Sequence, residues 1–135
     1  MDTDAVNRCS HQVIASAMAV HSTLGPGLLE STYEACLAVE LRSRGLGVDT
    51  QLALPVIYRG RHIELGYRLD MVVEGAVVVE VKAVTKLLPV HSAQLMSYLR
   101  LSGYGVGLLV NFHVPHLRDG IRRLVNCFGE SARAT

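Results

Sequence analysis

Residues 69–84 read LDMVVEGAVVVEVKAV. Two runs of β-branched and apolar residues flank Glu74-Gly75, the pattern of two strands joined by a tight turn. The second run, residues 76–84, is nearly all apolar, as expected for a central strand covered on both sides. Glu80 and Lys82 interrupt its valines. Alternate residues of a strand share a face, so these two side chains point one way and Val77, Val79, Val81 and Ala83 the other. Burying a carboxylate and an ammonium costs on the order of several kcal/mol each unless they are paired or bind a cation. A structural Glu–Lys pair at the strand's exposed end and a functional site both satisfy that condition.

Asp70, on the preceding strand, bears on the choice. A three-residue turn over residues 74–76 pairs Val73 with Val77 and sets Asp70 directly opposite Glu80, with roughly 5 Å between their Cβ atoms. A two-residue turn would put Asp70 opposite Val79, facing away from Glu80. A site therefore requires the odd register. Two carboxylates about 4 Å apart repel by roughly 4 kcal/mol at an effective dielectric near 20. A divalent cation converts that repulsion into binding, and hard oxygen donors with room for water suit Mg²⁺ or Mn²⁺. Lys82 beside such an ion is placed to orient or deprotonate water, or to steady a phosphate.

Outward from the hairpin, residues 4–24 carry Val13, Ala17, Val20 and Leu24 on one helical face. Gly25-Pro26-Gly27 breaks that helix. A second helix over residues 28–44 has Leu29, Tyr33, Leu37 and Leu41 as its apolar stripe and Gly45 as its stop. Residues 48–58 and 62–73 read as strands, with Pro55 marking an edge or a break and Gly60-Arg61 a turn. A third helix covers residues 90–102 and stops at Gly103. Residues 106–112 (VGLLVNF) form another buried strand, and a last helix covers residues 117–128 with Ile121, Leu124 and Val125 inward. The order α-α-β-β-β-α-β-α is that of an α/β sandwich with a mixed sheet.

At 135 residues and 50% hydrophobic, the chain suits a single domain, 1–135, with a core over about residues 10–128. With 19% charged residues and no biased stretch, disordered and fibrous classes are excluded. The net charge of +1 rules out an overall basic field, so any polyanion must meet a local patch. Three cysteines, Cys9, Cys36 and Cys127, are too few and too scattered for a disulfide framework or a zinc ribbon. They suit a reducing cytosol. No apolar run reaches the ~20 residues of a membrane helix, and the N-terminus is unlike a signal peptide, so a cytoplasmic protein is expected. The thin charge hints at a homo-oligomer.

The spacing D-x9-E-x-K across a hairpin resembles the PD-(D/E)XK nuclease superfamily. The segment GPGLLESTYE holds Gly27-x-x-Glu30-x-x-Tyr33, which looks like the namesake motif of the GxxExxY family placed in that superfamily. LDMVVEGAVVVEVKAV, PVHSAQLMSYL and GLLVNF also look like its blocks, so the resemblance spans roughly residues 13–126. It implies a restriction-endonuclease-like α/β/α sandwich and a Mg²⁺- or Mn²⁺-dependent nuclease acting on nucleic acid, most simply DNA. It implies that Glu30 matches the helical carboxylate of RecB-like members, and that Asp70 and Glu80 match the strand carboxylates. Lys82 then matches the motif lysine and Gln94 and Tyr98 the Q-x-x-x-Y helix. The carbonyl of Val81 is a further candidate metal ligand. Leu69 stands where the superfamily's proline would be.

Four residues apart, Gln94 and Tyr98 stack on one helical face. His91 stands one turn earlier and reads equally as a polar residue at a helix start. His113-x-x-His116 lacks a third nearby ligand for a metal. Arg59, Arg61 and His62 at a hairpin turn, and Arg118, Arg122 and Arg123, are candidate phosphate contacts or a solvated surface. The rival to catalysis is a non-catalytic nucleic-acid-binding or oligomeric assembly module on the same fold. A structural protein with a relict site is a third reading.

Overall fold

The computed structural model describes residues 1–126 of the chain. Its elements run α1 (Thr3–Leu24), α2 (Glu30–Ser43), β1 (Val48–Ala53), β2 (Val56–Tyr58), β3 (Arg61–Ile63), β4 (Arg68–Val73), β5 (Val77–Lys82), α3 (Pro89–Ser102), β6 (Val106–Asn111) and β7 (Ile121–Val125), with a 3-10 turn at Leu117–Gly120 before β7. A five-stranded sheet has the order β1-β4-β5-β6-β7, and β2 pairs with β3 alone. Within the large sheet β5 and β6 are parallel and every other pairing is antiparallel.

The alternation along β5 sorts the core into two layers. Val77, Val79 and Val81 join Val13, Ala17, Leu37 and Leu41 of α1 and α2 on one face. Val78 joins Leu95 and Leu99 of α3 on the other. α3 lies close: a Cβ added to Gly107 on β6 would stand 3.0 Å from Leu95. The architecture is thus the expected α/β/α sandwich with a mixed sheet. Cys9 is buried and Cys36 half-buried, both as free thiols, and Cys127 lies outside the described residues.

Two expectations change. The strand expected over residues 48–58 breaks at Pro55. It yields an edge strand, β1, and β2, while the strand expected over residues 62–73 splits into β3, which pairs with β2 as a separate hairpin, and β4. The expected last helix over residues 117–128 is not formed in its described part: Leu117–Gly120 is a 3-10 turn and Ile121–Val125 a strand. Its last two positions, Cys127 and Phe128, lie outside the described residues. The physical reason lies in β6, whose six residues are all buried. Left as an edge, that strand would offer an unpaired apolar ladder. β7 covers it, from Val106↔Val125 to Val110↔Ile121. Gly120 permits the approach, since a Cβ there would collide with the Asn111 carbonyl oxygen at 2.2 Å. The i, i+3, i+4 spacing of Ile121, Leu124 and Val125 fits a helix, but a five-residue run cannot separate the two periods.

Candidate active site

The turn after β4 has the three-residue form: Val73 pairs with Val77, Val72 with Val78 and Met71 with Val79. That register carries Asp70 opposite Glu80. The ladder ends there, and side chains take over its bonds. The Asp70 N–H donates to Glu80 Oε1 (3.1 Å), and the Val81 N–H donates to Asp70 Oδ2 (2.9 Å). On the other side of β4, Thr50 and Leu52 pair with Met71 and Leu69, while Gln51 between them adopts a left-handed φ of 51°. The sheet is therefore distorted on both flanks of Asp70.

Glu80 is only 5% exposed. Burial, and then the Asp70 carboxylate facing it, push its pKa up from 4.5 to about 8; Lys82 acts in the opposite direction. Such a group holds a proton near neutrality unless a cation replaces it. Lys82 is half-buried at the end of β5. Its strand end is secured by Asn111, its partner on β6. The Asn111 Oδ1 accepts from the N–H groups of Val84 (3.0 Å) and His113 (3.2 Å), and its Nδ2 donates to the Val84 carbonyl (2.9 Å).

Glu30 comes from the opposite side, as the first residue of α2. Its position follows from the G-x-x-E-x-x-Y spacing. Gly27 takes φ 103°, which favours glycine. Tyr33, one turn into α2 and fully buried, reaches back to the turn before the helix. Its hydroxyl donates to the Gly25 carbonyl (2.5 Å) and accepts the Leu28 N–H (3.1 Å). Its ring stacks on Phe112 with centroids 4.6 Å apart, and the Phe112 N–H donates to the Lys82 carbonyl (2.9 Å). The motif tyrosine thus ties the Glu30 turn to the strand end that bears Lys82. Tyr33→Phe keeps the stack and strands the Gly25 carbonyl and the Leu28 N–H. It is expected to cost about 1–2 kcal/mol in denaturant unfolding. A loss below about 0.3 kcal/mol would show that the hydroxyl does not hold the turn.

Burial raises the pKa of Glu30; Lys82 opposes the rise and Asp70 adds to it, which puts Glu30 within electrostatic reach of both. Glu30 and Asp70 line one open cleft of about 400 Å³ with Leu29, Ser31, Glu34 and Gln51. A larger cleft of about 630 Å³ is lined by His21, His116 and Arg118 and by none of the candidate carboxylates, Lys82, Gln94 or Tyr98. Glu34 and Gln51 were not expected at the site. Glu34 Oε1 accepts from Gln51 Nε2 (2.7 Å), and burial raises the Glu34 pKa, with Asp70 and Glu30 adding to the rise. The signal was present in part, since Glu30 and Glu34 stand four apart on one helical face.

On the α3 side, Gln94 stands one turn before Tyr98. Burial, then Glu80, Tyr67 and Asp70, raise the Tyr98 pKa, while Gln94 lowers it. The Tyr67 and Tyr98 rings are 6.0 Å apart and tilted. His91 Nδ1 accepts the Leu88 N–H (2.9 Å), which caps α3. His113 and His116 are exposed. Arg123 donates to Asn7, and Arg122 to the carbonyls of Asp119 and Ile121.

A family model described as the PD-(D/E)XK nuclease superfamily matches residues 7–124. The chain belongs to that superfamily. No curated protein and no solved structure matches it. PD-(D/E)XK nucleases generally use divalent metals. The donor chemistry here fits one: two facing carboxylates, one buried with its pKa raised, and a third across the cleft. Among the described residues, however, no three His, Cys, Asp or Glu side chains stand together as a ready cation cage. Among the same residues no helix is long and apolar enough to cross a membrane.

Proposed function

We propose that this member of the superfamily is a Mg²⁺- or Mn²⁺-dependent nuclease that hydrolyses phosphodiester bonds in DNA, and that it belongs to the GxxExxY group. The observation that carries the reading is the Asp70–Glu80 pair, facing each other at a broken strand ladder with Lys82 two residues on. Asp70 and Glu80 would hold the ion, with Glu30 as a further ligand from the helix side. The ion supplies positive charge at the phosphate and acidifies water. Lys82 orients the attacking water and steadies the charge that develops on the phosphate oxygens. Gln94 and Tyr98, one turn apart on the α3 wall, position the phosphate. The water oxygen bonds to phosphorus and releases a proton to solvent as one ester bond breaks, and the alkoxide leaving group takes a proton from solvent.

Each carboxylate of the pair also accepts a backbone N–H, so the pair is hydrogen-bonded without an ion. That observation favours a second reading, a binding or assembly module with a relict site. One experiment separates them. Plasmid and single-stranded DNA are incubated with Mg²⁺ or Mn²⁺, with and without chelator, using wild type and Lys82→Ala. The nuclease reading expects cleavage that the chelator abolishes and that Lys82→Ala lowers by about 10²-fold or more, in the range of a lost catalytic group. Salt-sensitive binding without cleavage under either metal would favour the module.

A further inference from the structure

The β2–β3 hairpin is a free-standing arm. Its strands pair Val56↔Ile63, Ile57↔His62 and Tyr58↔Arg61. Among the described residues, the only element with which either strand packs extensively is the other. An isolated two-stranded hairpin is marginal in water, so this one depends on its root. There the Leu54 N–H donates to the Tyr67 carbonyl (2.9 Å), and Leu54 is buried under α3. From that root to the tip the chain runs five residues, or about 16 Å. The tip is Arg59-Gly60, both at positive φ (51° and 77°). Asn or Asp is the usual occupant of the first position of such a turn. Arg59 accepts the strained backbone, and its guanidinium lies 5.5 Å over the Tyr58 ring. Arg61 and His62 follow directly. Ile57 and Tyr58 are more than half exposed, and no acidic residue falls between positions 55 and 63.

The arm starts at the rim of the candidate site. Tyr67 closes its root, and the Tyr67 ring packs against Tyr98, which stands within reach of Glu80 and Asp70. We infer that the arm is a duplex-DNA clamp: the ribbon lies in the groove beside the scissile phosphate, and Arg59 and Arg61 hold phosphates at its edge. The inference rests on the nuclease reading for its substrate class. The charge decides between candidate occupants. A second copy docked tip to tip would bring Arg59 and Arg61 against their own duplicates, whereas a phosphate backbone neutralises them. The dimensions decide between nucleic acids. A major groove of roughly 12 Å in B-form DNA admits a two-stranded ribbon. The deep, narrow major groove of A-form RNA does not.

The test compares the full-length wild type, Arg59→Ala/Arg61→Ala and Arg59→Lys/Arg61→Lys. Binding of a labelled DNA duplex is followed by anisotropy in chelator, across a salt titration. Each lost phosphate contact lowers the slope of log K against log salt by about 0.9, so the alanine pair lowers it by about 2 and the lysine pair leaves it near wild type. Duplex affinity falls at least about tenfold at moderate salt. Hydrolysis of bis(p-nitrophenyl) phosphate with Mn²⁺, which reads the metal site without the arm, stays at the wild-type rate in both variants. An unchanged slope in the alanine pair overturns the clamp. So does a change of oligomeric state in sedimentation, which would make the arm an assembly element, or an equal loss of binding to duplex RNA. If wild type fails to hydrolyse the small diester, the nuclease reading fails by itself, and the salt slope still decides the arm.

Discussion

Asp70→Asn is expected to abolish metal-dependent cleavage, lowering kcat/KM by about 10³-fold or more, or roughly 4 kcal/mol of transition-state stabilisation. The substitution is chosen for what it keeps. The amide oxygen still accepts the Val81 N–H that now bonds to Oδ2 at 2.9 Å, so the end of β5 stays in place. What disappears is the negative charge that an ion and its phosphate would balance. Above about pH 8, where Glu80 loses its proton, loss of that charge also relieves the repulsion between the two groups. At that pH the variant should therefore melt at or above the wild-type temperature, while its affinity for Mn²⁺, read by calorimetry, falls at least tenfold. Together these readouts separate a lost metal site from a lost fold. Cleavage within about tenfold of wild type, or less than 1.4 kcal/mol, would remove Asp70 from the chemistry.

The hairpin geometry behind that expectation was legible because it rests on two short-range rules. Alternation fixes which side chains of β5 share a face, and turn length fixes the register. Residues 74–76 form the three-residue turn, and Asp70 meets Glu80. The spacing of Gly27, Glu30 and Tyr33 was equally visible, but not its cause. The Tyr33 hydroxyl folds back on its own turn, and Phe112, far away in sequence, supplies the ring it stacks on. Gln51 gave no signal: it enters the site through a left-handed backbone kink in an edge strand, which no residue preference marks. The arm was half-visible, because Pro55 marked an edge or break and Gly60-Arg61 a turn, yet its separation from the main sheet is a tertiary outcome. β7 was misread because its sequence alone does not reveal that β6 needs an edge partner.

Glu80 makes the stability of the ion-free protein fall as pH rises, which is the second large effect. Its pKa is about 8 in the folded state against 4.5 for an ordinary glutamate, pushed up by burial first and by Asp70 second. Between those values the folded state keeps a proton that the unfolded state has released, so folding binds a proton and rising pH opposes it. The full benefit of the protonated carboxyl is present below about pH 4.5 and is gone above about pH 8. The slope in between is at most about 1.4 kcal/mol per pH unit, so the loss across that window is at most on the order of 5 kcal/mol. Glu30 and Glu34, also raised by burial, act in the same direction. Glu80→Gln keeps an oxygen to accept the Asp70 N–H and carries no titratable proton. Its denaturant-unfolding free energy in chelator should vary less between pH 5 and 8 than that of wild type, and should exceed it at pH 8. Mn²⁺ reverses the wild-type trend, because the ion binds the deprotonated carboxylate and stabilises more as pH rises. Parallel pH curves for wild type and Glu80→Gln would mean that the Glu80 proton is not held by the fold. The carboxyl would then be solvated in solution, and the case for a buried, charge-hungry pair at the end of β5 would fall with it.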